Sequence, residues 1–324
     1  MYKALVIRAD KDIYRSEIEL QEFPILAKNE LLIKVKYSSL NYKDCLSIAG
    51  HKGITRTYPH IPGIDAAGVV VASNSNKFTI NSEVIVTGYD LGMNLAGGFA
   101  EYVKVPANWV IHKPKGLTLK QAMLFGTAGF TAMSSYLQLK NHFKKLQNKR
   151  ILITGISGGV GLISTLILAQ HKVNLILATR SIKNHPLANM ATKLINSSNL
   201  LTPNTKPLLT RHYDGVIDNL GGTALENIIK QTEYDGLICS CGNVTGADLK
   251  HSIYPFILRA VTLKGISSAN TKYKLRQKIW LEIAKFLLWA ELENFITEIS
   301  LEQIAAKANL MLQGEHQGRF LVKL

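Results

Sequence analysis

Apolar and polar positions alternate at strand spacing through the first third of the chain. Residues typical of turns, Gly, Asn and Pro, separate the apolar stretches. These stretches are ALVIRA (4–9), ELLIKVKYSSL (30–40), GVVVAS (68–73), SEVIVTGY (82–89) and GFAEYVKV (98–105). The pattern predicts a β-rich domain over residues 1–125.

After residue 125 the pattern changes to helices that alternate with short apolar runs. Helical spacing occurs in GTAGFTAMSSYLQLKNHF (126–143), SGGVGLISTLILAQHK (157–172) and ALENIIKQTE (224–233). The apolar runs are RILITG (150–155), VNLILAT (173–179), GVIDNL (215–220), GLICSC (236–241) and VTLKGI (261–266). Buried strands alternating with helices predict a parallel sheet that is covered by helices.

The last part of the chain predicts two helices and a strand. These are KIWLEIAKFLLWAEL (278–292), LEQIAAKANLMLQG (301–314) and RFLVKL (319–324). No low-complexity linker marks the change of pattern near residue 125. We therefore expect two closely packed domains with a cleft between them.

Composition narrows the class of protein. A chain of 324 residues has room for about two domains. Its content of 47% hydrophobic and 19% charged residues is that of a folded globular protein and excludes a disordered chain. The N-terminal MYKALVIRAD lacks the features of a signal peptide, and no window has the run of about 18 uncharged apolar residues that a membrane span needs. We expect a cytoplasmic enzyme with no membrane association.

The net charge of +15 favours anionic partners, among them nucleic acids and phosphorylated small molecules. The basic residues are scattered, however, and their densest group, NHFKKLQNKR (141–150), has no interleaved aromatic residues for stacking on bases. The three cysteines, Cys45, Cys239 and Cys241, are too few for a disulfide framework and do not have zinc-ligand spacing. We therefore expect neither nucleic acid nor metal.

A glycine-rich turn lies between the strand RILITG and the following helix. Gly158 and Gly161 have the spacing of the second and third glycines of GxGxxG, while Ile156 occupies the first position. Without Cβ atoms such a turn lets the backbone approach a pyrophosphate at the helix N-terminus. We predict cofactor contacts by Ser157, Gly158, Gly159 and Val160. The alternative is a turn that only packs the helix tightly on the sheet.

The end of VNLILAT (173–179), the second strand of the predicted parallel sheet, indicates which dinucleotide is bound. An NAD-binding protein usually carries Asp or Glu there for the ribose hydroxyls, and this chain has Thr179, Arg180 and Ser181 instead. A guanidinium and hydroxyls can hold a 2′-phosphate, with Lys183 as a further counter-charge. These residues predict NADPH, unless Arg180 is only a solvated charge.

Seven segments spread over the whole chain resemble the zinc-independent medium-chain dehydrogenase/reductases of the quinone-oxidoreductase type, and most of all the acrylyl-CoA reductase group. They are SSLNYKDCLSIAG (38–50), PHIPGIDAAGVV (59–70), GGFAEYVKV (97–105), GTAGFTAM (126–133), TGISGGVG (154–161), PFILRAVTLKGISS (255–268) and QGRFLVK (317–323). The resemblance implies an α/β protein with two domains. These are a GroES-like, β-rich catalytic domain (1–125, with the C-terminal segment 267–324 returning to it) and a Rossmann NADPH-binding domain (126–266). The chain departs from the group at Ile156 and in the segment 181–213, which looks shorter than the corresponding segment of the group.

The resemblance also implies residue roles. Asn41 and Tyr42 would be catalytic and face the nicotinamide, which Tyr42 would contact. Further cofactor contacts would come from Thr127, from Asn243 after the fourth strand of the nucleotide domain, from Ile266 and Ser267 after the fifth, and from Arg319. Simpler alternatives are capping of a core strand for Tyr42, a helix N-cap for Thr127 and a surface ion pair for Arg319. We expect Asp44 and Asp65 to be structural hydrogen-bond acceptors and not general bases.

The function that these features predict is NADPH-dependent reduction of the C=C bond of a short 2-enoyl-CoA such as acryloyl-CoA. The alternatives are reduction of quinones or free α,β-unsaturated carbonyls and, from charge alone, nucleic-acid binding with a vestigial nucleotide site. Lys52 and Arg56 in HKGITRTYP (51–59) would favour the first if they line a route for the phosphates of CoA. The resemblance and the strand VTLKGI predict a homodimer joined through the nucleotide-binding domains.

Overall fold

A computed structural model describes the whole chain, Met1–Leu324. The chain forms two compact units. The first consists of two segments, Met1–Phe130 and Ser268–Leu324, and the second is the continuous segment Thr131–Ser267. None of the helices has both the length and the apolar character that crossing a lipid bilayer requires.

The first segment of unit 1 is mostly strands. Its elements are β1 (Tyr2–Asp10), β2 (Ile13–Gln21), β3 (Glu30–Leu40), α1 (Tyr42–Ile48), β4 (Asp65–Ser73), β5 (Glu83–Thr87), β6 (Tyr102–Pro106), β7 (Ile111–His112) and the start of α2 (Leu119–Phe143), which continues into unit 2. Strands β1 and β2 form an antiparallel hairpin. The alternating stretches predicted from the sequence as strands lie in β1, β3, β4, β5 and β6.

Unit 2 contains six parallel strands in the order β10-β9-β8-β11-β12-β13. Its elements are β8 (Arg150–Ile153), α3 (Gly159–Ala169), β9 (Asn174–Thr179), β10 (Lys193–Asn196), β11 (Tyr213–Asp218), α4 (Gly222–Gln231), β12 (Thr232–Ser240), α5 (Tyr254–Arg259) and β13 (Thr262–Gly265). This is the strand order of a Rossmann fold. The predicted parallel sheet is therefore confirmed, and the segment 181–213 adds the edge strand β10.

The second segment of unit 1 completes its sheet. It contains α6 (Tyr273–Ile283), α7 (Trp289–Glu293), β14 (Ile296–Ile299), α8 (Ile304–Gln313) and β15 (Arg319–Lys323). Strand β15 pairs with β14 and β3 in a seven-stranded sheet of order β14-β15-β3-β4-β5-β7, and β6 also pairs with β3. The C-terminal strand thereby brings Arg319 next to the end of β3.

One predicted helix is broken in the structure. The stretch 278–292 forms the end of α6 and the short α7, separated by a turn. The turn places Phe286 and Trp289 so that their ring centroids lie 5.0 and 5.1 Å from that of Phe125. The packing of three aromatic rings thus replaces the continuous helix that the spacing indicates.

Candidate active site

A buried group of polar side chains gathers around Asp65, the first residue of β4. Its Oδ2 atom accepts hydrogen bonds from Ser39 Oγ (2.6 Å), Asn41 Nδ2 (2.7 Å) and the Thr127 amide (2.8 Å). Its Oδ1 atom accepts one from Thr127 Oγ1 (2.6 Å). Asp65 is fully buried, so this carboxylate is satisfied by four donors within the protein.

Helix α1 begins at this group. The Oδ2 atom of Asp44 accepts from the Asn41 amide at 2.8 Å, and its Oδ1 atom accepts from the Ile64 amide at 2.8 Å. These bonds attach the first turn of α1 to the residue before β4 and leave Tyr42 42% exposed. Burial, and then the neighbouring Asp65, raise the pKa of Asp44 to about 7, although hydrogen bonds from Asn41 and Ile64 act to lower it.

Asn41 acts first as a donor to the buried carboxylates. Besides its 2.7 Å bond to Asp65, Nδ2 lies 3.2 Å from the Ser39 carbonyl and 3.3 Å from Asp44 Oδ2. The side chain is 8% exposed. Asn41 therefore positions Asp65, and its contact with substrate or nicotinamide stays a prediction.

A kink in α2 lets the helix reach Asp65. Gly126 has φ 51° and ψ −152°, a conformation nearly restricted to glycine. A Cβ atom there would lie 2.3 Å from Ser39 Oγ, 2.5 Å from Asp65 Oδ2 and 3.0 Å from Arg319 Nη2. Only glycine fits, and the next residue, Thr127, then directs both its amide and its hydroxyl at Asp65. The side chain of Thr127 is thus a donor to a carboxylate, and its contact with the cofactor stays a prediction.

Arg319 is buried in the same region, with 4% exposure, and is not part of a surface ion pair. Burial lowers its pKa to about 10, although the charges of Asp65 and Asp44 act to raise it. Its Nε and Nη2 atoms have no hydrogen-bond acceptor within the protein. Because buried donors are normally satisfied, Arg319 is suited to meet an anionic or carbonyl oxygen of a ligand.

In unit 2 the glycine-rich turn connects β8 to α3. A Cβ atom on Gly161 would lie 2.4 Å from the Gly155 carbonyl oxygen, whereas one on Gly158 would meet nothing closer than 3.5 Å. Gly161 therefore serves the close packing of helix and turn. Gly158, the exposed residue before α3, together with Gly159 leaves the N-terminus of the helix open to a phosphate.

The predicted ribose-binding residues follow β9. Thr179 is buried, and its Oγ1 atom accepts from the Ser181 amide at 3.2 Å, which holds the turn. Arg180 and Ser181 are exposed. No Asp or Glu occurs anywhere between Glu101 and Asp214. The end of β9 therefore offers a cation and hydroxyls with no carboxylate from this part of the chain.

The other residues predicted to contact the cofactor follow β12 and β13. Asn243 and Ser267 are exposed, and the Ile266 amide donates to the Ser240 carbonyl at 2.9 Å. Because all six strands are parallel, these residues lie at the same edge of the sheet as the glycine-rich turn and Arg180. This edge is where open α/β sheets bind their ligands.

Sequence reasoning missed a residue at this edge. Asn219, directly after β11, donates from Nδ2 to the Thr154 carbonyl at 2.7 Å, and its backbone amide donates to Thr154 Oγ1 at 2.8 Å. It lies under the glycine-rich turn, where a Cβ atom on Gly155 would be 3.2 Å from that of Asn219. The available signal was the polar sequence DNLGG immediately after an apolar run.

Comparison with known proteins identifies the family. The alcohol dehydrogenase GroES-like domain matches residues 27–115. Acrylyl-CoA reductase AcuI of Ruegeria pomeroyi is 32% identical over 99% of this chain and 99% of its own length. YhfP of Bacillus subtilis, which carries the name quinone oxidoreductase, is 34% identical over 100% of this chain and 99% of its own. The chain is a medium-chain dehydrogenase/reductase of the quinone-oxidoreductase type.

Solved structures of this reductase family have the same fold as this chain over its full length. The YhdH oxidoreductase of Salmonella enterica in complex with NADP has a TM-score of 0.95 at 33% identity and covers 99% of both chains. YhfP with NAD bound has a TM-score of 0.93 at 34% identity, covering 100% of this chain and 99% of its own. The predicted family and fold class are confirmed. In this reductase no group of three or more His, Cys, Asp or Glu side chains is arranged to hold a metal ion.

Proposed function

We propose that this reductase uses NADPH to reduce the C=C bond of a short 2-enoyl-CoA such as acryloyl-CoA. The observation that carries the proposal is the full-length similarity to an acrylyl-CoA reductase. A conjugated thioester carbonyl delocalises the charge that is left after a hydride reaches the β carbon. Hydrogen-bond donors at that oxygen are therefore the main requirement on the protein.

The residues at the carboxyl edge of the parallel sheet fit a dinucleotide. The open start of α3 at Gly158 and Gly159 would hold the pyrophosphate, with Ser157 and Val160 beside it. Arg180, Thr179 and Ser181 would hold a 2′-phosphate. Since one solved relative binds NADP and another NAD, the preference for NADPH rests on this chain's own residues. When bound, NADPH supplies the hydride.

The polar group around Asp65 supplies donors on the side of the reacting atoms. Asp65 fixes Thr127 and Asn41, and Arg319 adds a buried cation with two unused donor atoms. The exposed Tyr42 at the start of α1 is the donor that we assign to the substrate carbonyl oxygen or to delivery of the proton at the α carbon. Water is an equally acceptable proton source, because no histidine is placed in this group.

Reduction of quinones is the second candidate, and the similarity to YhfP favours it. The two candidates differ in where the electrons go: to the β carbon of a thioester, or to the ring of a quinone. Both consume NADPH and one proton, and neither needs a further co-reactant.

A paired assay tests the proposal. NADPH oxidation is followed with acryloyl-CoA and with a simple quinone, and propionyl-CoA is the saturated control that cannot be reduced. We expect turnover with acryloyl-CoA, formation of propionyl-CoA by mass spectrometry, and a much lower kcat/KM with the quinone. Efficient quinone reduction without any reduction of acryloyl-CoA would reject the proposal in favour of the second candidate.

A further inference from the structure

A pocket of about 460 Å³ opens on unit 1, between the β1–β2 hairpin and the loop that follows α1. Its volume is within the range of small-molecule sites. We call it the basic pocket; its lining residues are Ala9, Lys11, Tyr14, Lys52, Thr55, Arg56 and Tyr58. None of the residues assigned above to the cofactor or to the reaction lines it.

Three cations and no carboxylate line the basic pocket. Lys11, Lys52 and Arg56 form none of the ion pairs present in the structure. The neighbouring depression, which shares Ala9 and Tyr58, is different because its lining contains both acids and bases, namely Arg8, Asp10, Arg15 and Glu17. The excess of positive charge is therefore local to the basic pocket, and such a cluster attracts an anion carrying several charges.

Two tyrosine rings that pack against each other line the pocket. The ring centroids of Tyr14 and Tyr58 are 5.1 Å apart, at an interplanar angle of 60°. Tyr14 packs against Gly50, where a Cβ atom would lie 2.0 Å from the ring. The ring can occupy this place only because residue 50 has no side chain. The face of an aromatic ring beside cations suits a nucleobase joined to phosphates.

The loop that carries Lys52 and Arg56 is attached to α1. The hydroxyls of Ser47 and Thr55 are 2.7 Å apart, and Tyr58 Oη donates to the Ser47 carbonyl at 2.9 Å. Helix α1 has seven residues, which corresponds to a length of about 10 Å. The basic pocket thus lies at one end of a short helix whose other end carries Tyr42, the residue assigned to the substrate.

These observations identify the part of the substrate that the pocket fits. Resting on the proposed function, we propose that the basic pocket binds the adenosine 3′,5′-bisphosphate end of a CoA thioester. Lys11, Lys52 and Arg56 meet the phosphates, and the adenine lies against Tyr14 and Tyr58. The pantetheine arm then runs along α1 and presents the acyl group near Tyr42.

The first test compares two double variants with the same change in charge. Lys52→Ala/Arg56→Ala removes two cations from the pocket, and Lys144→Ala/Lys145→Ala removes two exposed lysines from unit 2. Loss of charged hydrogen bonds to phosphate should raise the KM for acryloyl-CoA about tenfold or more in the first variant. Its kcat, its KM for NADPH and its activity on a free enone should stay at the parental values. The second variant should match the parent throughout.

The second test measures binding without turnover. Calorimetry with propionyl-CoA, and separately with adenosine 3′,5′-bisphosphate, is done in saturating NADP+ so that the cofactor site is filled. We expect both probes to bind the parent and to bind the Lys52→Ala/Arg56→Ala variant at least about tenfold more weakly. Binding that disappears when NADP+ is present would place the bisphosphate in the cofactor site and overturn the inference.

The outcomes separate this inference from the proposed function. Acryloyl-CoA reduction with an unchanged KM in the Lys52→Ala/Arg56→Ala variant would overturn the pocket and leave the proposed function standing. Binding of propionyl-CoA that depends on the pocket, without reduction of any enoyl-CoA, would support the pocket and reject the proposed function.

Discussion

Asp65 organises the buried polar side chains of unit 1, and each neighbour has a distinct part. Thr127 and Asn41 donate to it, Gly126 makes room for it, and Arg319 brings a positive charge close to it. An isolated buried carboxylate is costly, whereas four donors and a nearby cation make it tolerable.

Replacing Arg180 tests the choice of cofactor at a single residue. Arg180→Ala should weaken NADPH binding by about 1–3 kcal/mol, because a charged hydrogen bond to the 2′-phosphate is lost. NADH lacks that phosphate, so its affinity should barely change. Titration of the protein's fluorescence with each cofactor measures both values, and equal losses for the two would show that Arg180 does not contact the phosphate.

Tyr42→Phe tests the donor at the start of α1. A hydroxyl used only in the transition state should, when deleted, lower kcat and kcat/KM together by about 10²-fold, with NADPH affinity preserved. Steady-state kinetics with acryloyl-CoA checks this expectation. Parental rates in the variant would make Tyr42 a packing or cofactor contact.

Asp44 should give the stability of the protein a recognisable pH dependence. Its pKa in the folded protein is about 7, while an unfolded aspartate titrates near 4. Between these values the folded state holds the extra proton, so the contribution of Asp44 to stability falls as pH rises from about 4 to 7. The charged groups that face Asp44 are Asp65 and Arg319. Arg319 has a pKa of about 10 and therefore stays charged throughout this pH range.

The comparison variant is Asp44→Asn, which does not titrate. Urea unfolding of parent and variant between pH 4.5 and 8 gives the difference in their free energies of unfolding. We expect the parent to lose stability relative to the variant across this range. Parallel curves would show that Asp44 is ionised in the folded protein well below neutral pH.

At the scale of elements, the kink in α2 depends on a single glycine. Gly126→Ala forces a side chain into a positive-φ conformation and into contact with Ser39 and Asp65. Gly116→Ala is a matched control, because Gly116 also has positive φ (82°) but has open space around its Cβ position. Backbone strain should lower the free energy of unfolding by about 1–3 kcal/mol in either variant. Gly126→Ala should lose more stability than Gly116→Ala, because only its new methyl group clashes with Ser39 and Asp65. Chemical denaturation measures both, and equal losses would mean that the helix relaxes away from Asp65.

The elements themselves were largely predictable, whereas the group around Asp65 was not. Strand β3 and the β8–α3 unit follow from apolar spacing that is local in sequence. Strand β10, with the sequence KLIN, is too short and too polar for such a pattern. Thr127 meets Asp65 across 62 residues of sequence, and Arg319 joins them because β15 pairs with β3. No local periodicity encodes such contacts between distant parts of the chain.

At the scale of the whole molecule, one edge of unit 2 indicates self-association. Strand β13 is the last strand of the parallel sheet, and α5 beside it exposes Ile257 by 64% and Leu258 by 57%. An open strand edge next to exposed apolar residues favours pairing with a second copy. We predict a homodimer in light scattering and a shift toward monomer in Ile257→Asp. A parent that is monomeric at working concentration would contradict this.

Strand β15 also determines when each unit can be finished during synthesis. Unit 2 is a continuous segment, so all of its strands have left the ribosome while the end of β3 still lacks the partner that Phe320 and Val322 provide opposite Leu40 and Ser38. Unit 1 must wait for the final residues of the chain. A premature stop or a protease cut shortly before residue 319 would therefore remove more than a tail. It would leave the seven-stranded sheet open and the carboxylates of Asp44 and Asp65 without the arginine buried near them.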